Sequence, residues 1–254
     1  EEALRLSGLS DVALVEPYRE YVLDTDRGPQ LIGAEPVWDG SNPGAPAGYR
    51  GEGMVIGIID SGINFGSPSF AAVDPIDGYA HVNPLGAGSY LGTCAAGGVD
   101  DGRRNDKLIG GSDLGCGGPA HPPGGGDPPR GPRAPANRCG AANPREDPGF
   151  GDTNPHGTPV ASPAAGNRRE VNYRSSLLRI SGVAPRANLV AYDVCYTEVS
   201  TGRGLCPNVS SVAAIEQAIA DGVVDALNYS ISGGSQPWSE AVSLAFLNAA
   251  EAGI

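Results

Sequence analysis

The chain has 254 residues, enough for one large α/β domain or two small ones with a hydrophobic core. It carries 17 Lys and Arg residues against 29 Asp and Glu residues, and the resulting net charge of −12 excludes nucleic acid as a partner held by phosphate contacts. No run approaches the roughly 18 apolar residues that a membrane span requires, so none is predicted.

The first half of the chain predicts two strands and an insertion. Residues 1–26 alternate apolar and polar side chains around VALVEPYREYVL, as an edge strand does. Residues 54–60, MVIGIID, form a continuous apolar run bounded by glycines, which is typical of a strand buried on both faces. Residues 117–149 are rich in glycine and proline and predict a long, flexible surface insertion.

The second half follows a regular alternation. Residues 187–195 (ANLVAYDVC) and 223–232 (VVDALNYSIS) predict buried strands. Residues 210–222 predict a helix with a serine N-cap and a glycine end, and residues 235–253 predict another, capped by Ser235. Strand, helix, strand and helix in this order indicate an α/β fold with a parallel β-sheet flanked by helices.

Five cysteines leave at least one of them unpaired within the chain. Cys195 and Cys206 are separated by a short polar stretch with two glycines, which could close a disulfide-bonded loop. Free buried thiols are the alternative. The remaining three, Cys94, Cys116 and Cys139, lie in or near the Gly/Pro-rich region.

Two residues are candidates for chemistry. Asp60 ends the first buried strand and is followed by Ser61-Gly62, so its carboxylate can face a cleft at the end of the sheet. A plain turn aspartate is the alternative. His156 opens a predicted helix, HGTPVASPAAGN, where the helix dipole disfavours the imidazolium form, and it therefore needs a carboxylate partner to act as a base. A lone histidine is more often structural, but the combination with Asp60 favours catalysis.

Two prolines lie in the helix that His156 opens. Pro159 falls in the first turn, where its missing N–H would be unpaired anyway. Pro163 removes an internal hydrogen bond and clashes with the preceding turn, at a cost of about 3 kcal/mol or a kink. Such a kink is expected to move the imidazole away from Asp60, and a shift of about 1 Å lowers a rate on the order of a hundredfold.

Four segments together resemble successive blocks of the subtilisin-like serine proteases. They are GEGMVIGIIDSGI (51–63), DTNPHGTPVASPAAGN (152–167), GVAPRANLVAYDVC (182–195) and VVDALNYSISGG (223–234). They follow the order of that family, with Asp before His and the nucleophilic serine expected last. LIGAEPVWDG and NDKLIGGSDL resemble its large secreted members, which often carry an inserted protease-associated domain.

The resemblance implies a serine endopeptidase that works through an acyl-enzyme. Asp60 would orient the imidazole and His156 would be the general base. The substrate cleft would be lined by Ser230, Ile231, Ser232, Gly233 and Gly234. No cofactor would be required, although calcium is common in the family, and the partners would be protein or peptide substrates.

The resemblance also implies a domain organisation. Residues 1–26 would be the tail of an inhibitory propeptide, which would bind its own protease and be cut off between Tyr21 and Arg27. Residues 27–254 would be the N-terminal part of the catalytic domain of a secreted protein. The chain contains no G-T-S-x-A-x-P block with the nucleophilic serine, so we expect it to be inactive alone.

Two other interpretations remain open at this stage. A catalytically inert relative would keep the cleft and bind extended peptides without cutting them. An unrelated α/β small-molecule-binding domain would need a Gly-rich phosphate loop after the first strand, and IIDSGINFGSPSF matches such a loop poorly.

Overall fold

The computed structural model of the chain describes residues 28–115, 144–145, 147–173, 175–233, 236 and 238–254, together with Arg5. The helices within this part are α1 (Gly28–Leu31), α2 (Ala34–Asp39), α3 (Gly157–Ala165), α4 (Asn208–Asp221) and α5 (Ala241–Glu251). The strands are β1 (Val55–Asp60), β2 (Leu91–Gly92), β3 (Leu108–Asp113), β4 (Pro144–Arg145), β5 (Arg169–Tyr173), β6 (Ser176–Ile180), β7 (Asn188–Asp193), β8 (Tyr196–Glu198), β9 (Arg203–Leu205) and β10 (Ala226–Tyr229).

The central sheet contains five of these strands, in the order β10-β1-β7-β3-β2. All of its neighbouring pairs are parallel. β1 and β7 pair in register from Val55 opposite Asn188 to Asp60 opposite Asp193. Every residue of β7 is buried, and so is every residue of β1 except Ile56. The predicted α/β fold with a parallel sheet and flanking helices is confirmed.

Both faces of the sheet are covered because successive side chains of a strand point to opposite sides. On one face, Ile59 of β1 packs in a cluster with Ile215 of α4 and Ala249 of α5. On the other face, Ile58 of β1 packs in a second cluster with Ala161 of α3. The continuous apolar run of β1 therefore serves two cores, as expected for a central parallel strand.

Two small antiparallel sheets extend the fold. β4, β8 and β9 form a three-stranded sheet in that order, and β5 pairs with β6 as a hairpin. β4 lies within the predicted insertion 117–149, so the end of that insertion is not a loose loop. Gly149, within the same predicted insertion, is buried as well. Composition alone could not reveal this, since pairing with β8 depends on a distant segment.

Three element boundaries differ from the prediction. β10 covers only part of 223–232 and lies at the sheet edge with Ala226 exposed, so it is not a buried strand. α4 begins at Asn208 with Pro207 as N-cap, because Pro207 has extended backbone angles and Asn208 and Val209 already continue the helix. α5 begins at Ala241, later than predicted from residue 235.

Several predictions lie outside the described residues. They concern the edge strand and propeptide tail in 1–26, residues 116–143, and positions 234, 235 and 237. Within the described part of the chain, no helix is both long and apolar enough to cross a membrane.

Candidate active site

Asp60 is the last residue of β1, at the carboxyl end of the sheet. Its side chain is 1% exposed. The chain leaves the strand at Gly62, which has a φ of +92°, and a Cβ there would overlap the carbonyl oxygen of Phe150. The D-S-G sequence therefore makes a turn that needs its glycine, and the turn keeps the carboxylate at the strand end.

His156 is the N-cap residue of α3 and reaches Asp60 across the turn. Its Nδ1 atom lies 2.7 Å from Asp60 Oδ1. A carboxylate accepts but does not donate, so Nδ1 carries a proton, and in the neutral form of the ring Nε2 is then an acceptor. The histidine side chain is 55% exposed, so Nε2 can meet a molecule that enters from solvent.

Pro163 does not displace the imidazole, so the predicted kink away from Asp60 was wrong. α3 continues through Pro163 to Ala165. The helix end is held by an adjacent segment instead: the N–H groups of Val183 and Ala184 donate to the carbonyls of Pro163 and Ala164, both at 2.9 Å. The proline ring is on the exposed side of the helix, where it does not disturb the buried face.

A cleft of about 260 Å³ opens beside the Asp60–His156 pair. Its lining residues are Asp60, Ser61, Asn154, His156, Cys195, Gly204, Cys206, Ser230 and Ile231. Of the predicted substrate-binding residues, Ser230 and Ile231 thus line the cleft. Ser232 and Gly233 are exposed next to it along the chain, and Gly234 lies outside the described residues.

A disulfide bond joins Cys195 to Cys206, so these cysteines are not the free thiols of the alternative interpretation. It closes the β8–β9 hairpin at its base and forms part of the cleft wall. Cys94 is a buried free thiol. Cys116 and Cys139 lie outside the described residues.

The β8–β9 hairpin contacts the loop that carries the histidine. At Gly204 of β9, an added Cβ would overlap the side chain of Asn154. Asn154 lies two residues before His156, and the N–H of His156 donates to its carbonyl at 2.5 Å. Sequence analysis did not single out Gly204 or Asn154, because their contact joins segments about 50 residues apart.

Two further aspartates end neighbouring strands and anchor the loops around the cleft. Asp113 of β3 and Asp60 of β1 both align with Asp193 of β7. The N–H of Gly149 donates to Asp113 Oδ2 at 3.0 Å, and the N–H of Cys195 donates to Asp193 Oδ1 at 3.2 Å. The loops that shape the cleft are therefore tied to the same edge of the sheet as Asp60.

Among the described residues, no group of three or more His, Cys, Asp or Glu side chains could hold a metal ion. The calcium that the family resemblance implies stays a prediction, and no chemical step below uses a metal.

Comparison with known proteins gives a consistent result. A family model described as "Subtilase family" matches residues 51–254. Subtilisin-like protease SBT2.1 of Arabidopsis thaliana is 32% identical over 81% of this chain and 22% of its own length. Subtilisin-like protease SBT2.4 of the same plant is 31% identical over 100% of this chain and 28% of its own length. The chain thus spans about a quarter of the length of these relatives.

Proposed function

This chain belongs to the subtilase family, and from that premise we propose that the protein is a serine endopeptidase with His156 as general base and Asp60 as its orienting carboxylate. The observation that carries the proposal is the 2.7 Å contact between His156 Nδ1 and Asp60 Oδ1 beside an open cleft. Asp60 is buried and His156 is exposed, which suits their roles. A buried carboxylate holds the ring, and the exposed ring meets the substrate.

The substrate would be an extended peptide that lies along Ser230 and Ile231 and pairs with their backbone as an added strand. As the hydroxyl of the nucleophilic serine attacks the scissile carbonyl carbon, Nε2 of His156 takes its proton. Asp60 accepts the Nδ1–H bond and stabilises the imidazolium that forms.

The tetrahedral intermediate then collapses as the C–N bond breaks. His156 returns its proton to the leaving amine, and the acyl group stays on the serine. Water deprotonated by His156 attacks this ester, and the serine recovers its proton. No G-T-S-x-A-x-P block occurs in these 254 residues, so the proposal assigns the serine to another part of the full-length protein.

The proposal includes secretion and control by a propeptide. The Cys195–Cys206 disulfide supports an oxidising compartment, because such bonds are rare in the cytosol. Residues 1–26 would be the tail of the propeptide, and the protease domain itself would be the partner of that propeptide.

A serine-directed phosphonate probe tests the reaction class on the full-length protein. We expect the probe to label the protein, and His156→Ala to abolish labelling and lower peptide turnover by a factor of about 10³ or more. The control is His121→Ala, which replaces a histidine of the Gly/Pro-rich stretch and should leave both unchanged. Labelling that persists in His156→Ala would contradict the role of His156.

A second candidate is an inert relative that would bind extended peptides in the cleft beside Ser230 and Ile231. It predicts that the full-length protein binds extended peptides but neither cuts them nor reacts with the probe. The same experiment therefore separates the two functions.

A further inference from the structure

The helix that carries His156 is not capped by its own N-cap residue. Ser, Thr, Asp and Asn usually occupy this position, because their side chains accept hydrogen bonds from the first N–H groups of the helix. His156 makes no such side-chain bond among the described residues, since its ring is turned to Asp60. The free N–H groups at the start of α3 must therefore find acceptors elsewhere.

Two side chains outside the helix supply these acceptors. The N–H of Gly157 donates to Ser61 Oγ at 3.0 Å. The N–H of Thr158 donates to Asp152 Oδ2 at 2.9 Å. Ser61 is 3% exposed, so the first of these bonds is shielded from water.

The rest of the first turn needs no further acceptor. Pro159 has no N–H, and the N–H of Val160 donates to the carbonyl of His156 at 3.2 Å. Ser61 and Asp152 thus complete the hydrogen bonding of the turn. Because Pro159 has no N–H, the first turn contains no further donor for which Ser61 and Asp152 would have to supply an acceptor.

Ser61 contacts both Asp152 and the carboxylate of Asp60. Ser61 Oγ lies 2.9 Å from Asp152 Oδ1 and 2.5 Å from the carbonyl oxygen of Asn154, so these two acceptors share its single hydrogen. The N–H of Ser61 donates to Asp60 Oδ1 at 2.8 Å, the same oxygen that faces the imidazole. The carboxylate of Asp152 therefore bridges the start of α3 and the residue that follows Asp60.

We propose that Asp152 is a positioning residue: its carboxylate joins the Ser61 hydroxyl to the Thr158 N–H and so holds the imidazole of His156 against Asp60. The inference rests on the proposed function. The negative charge of Asp152 suits this position, because a helix N-terminus favours negative charge and the first turn of α3 contains no acidic residue of its own. Asp152 does not touch the reacting atoms and acts through His156 alone.

Steady-state kinetics of the full-length protein test the role of Asp152. Asp152→Ala should lower kcat about 10- to 100-fold with little change in KM, because the base is displaced while the cleft remains. Asp152→Asn keeps an oxygen for the Thr158 N–H and should recover most of that loss. The control is Asp39→Ala, which removes an exposed carboxylate that accepts the Ser41 N–H in a different turn, and it should leave kcat unchanged.

A double-mutant cycle with His156→Ala distinguishes positioning from general stability. If Asp152 acts through His156, Asp152→Ala lowers the rate of the wild type but not the residual rate of His156→Ala. If Asp152→Ala lowers the rate equally in the wild type and in His156→Ala, the inference is overturned. It is also overturned if His156→Ala is inactive but Asp152→Ala has the kcat of the wild type. Full activity of His156→Ala would instead overturn the proposed function, and the inference with it. If Asp152→Ala fails to fold, Asp152→Leu, which keeps the shape of the side chain without its oxygens, replaces it in the same cycle.

Discussion

At the scale of single residues, the candidate site depends on how closely α3 approaches β1. Gly157 is the first residue of α3, and a Cβ added there would overlap the carbonyl oxygen of Gly62 and lie 3.2 Å from the Cβ of Asp60. A larger residue would have to push the helix away from the strand end. The glycine after His156 is therefore required for the contact between the imidazole and Asp60.

We predict that Gly157→Ala lowers kcat by about one to two orders of magnitude, because the overlap moves His156 by a fraction of an ångström to 1 Å. Peptide hydrolysis by the full-length protein measures this. The matched control is Gly102→Ala, since a Cβ at Gly102 meets no described heavy atom within 4 Å. An unchanged kcat in Gly157→Ala would show that the helix start tolerates the displacement.

At the scale of elements, α3 is held by its neighbours more than by its own propensity. Its first turn is bonded to Ser61 and Asp152, and its last carbonyls are bonded to Val183 and Ala184. Ala161 packs into the core below the helix. These contacts keep the helix intact although Pro163 lacks the N–H that would bond to the preceding turn.

The cost of that proline should be measurable as stability. Pro163→Ala restores an N–H for the carbonyl of Pro159 and removes a ring clash, while it adds some freedom to the unfolded chain. We expect a gain of about 2 kcal/mol, seen as a thermal unfolding midpoint several degrees higher.

Pro159→Ala is the control for this change, because the N–H at that position has no partner within the helix. Its unfolding midpoint should not rise above that of the wild type, because the change adds freedom to the unfolded chain and gains no hydrogen bond within the helix. Equal midpoints for Pro163→Ala and the wild type would contradict the expected cost of a proline inside α3.

At the scale of the whole molecule, the one lysine of the chain is buried in a strand connection. Lys107 is 0% exposed, and its Nζ donates to the carbonyls of Pro185 at 2.8 Å and Ala187 at 2.6 Å. It thereby ties the start of β3 to the start of β7. Burial lowers the pKa of Lys107 from 10.5 to about 7, although the charge of Asp74 acts in the opposite direction.

This shift makes the stability of the fold depend on pH. Between pH 7 and 10.5 the unfolded chain binds more protons at Lys107 than the folded chain does, so the free energy of unfolding rises with pH in that window. Burial raises the pKa of the Cys94 thiol from 9.0, which lowers stability as the pH rises above that value. The effect of Lys107 is therefore best measured between about pH 7 and 8.5.

We predict that Lys107→Met flattens the rise in unfolding free energy with pH over this interval, whatever its effect on absolute stability. Denaturant titrations at several pH values measure the slope of unfolding free energy against pH for the wild type and for Lys107→Met. His81 contributes mainly between pH 4 and 6.5, because burial lowers its pKa from 6.5 to about 4. Its small contribution above about pH 7 comes from the unfolded chain and is the same in both proteins. Equal slopes for the wild type and Lys107→Met would contradict the assignment of the rise to this lysine.

The sequence by itself determined three strands of the central sheet (β1, β7 and β10), the parallel α/β class, and the placement of Asp60 at a strand end and His156 at a helix start. These follow from local periodicity and turn residues, which act over a few positions. It also assigned the catalytic roles of both residues, and these stay predictions until the kinetic experiments are done.

Only the tertiary structure decided the rest. It brought Asp60 and His156 together across 96 positions, kept α3 intact at Pro163, placed β10 at the sheet edge and joined Asp152 to Ser61. Each of these outcomes depends on a contact between segments that are distant in sequence, or on which strand or helix packs beside a given segment. Local patterns cannot specify such contacts, because the distance between two remote segments is set only when the whole core is packed.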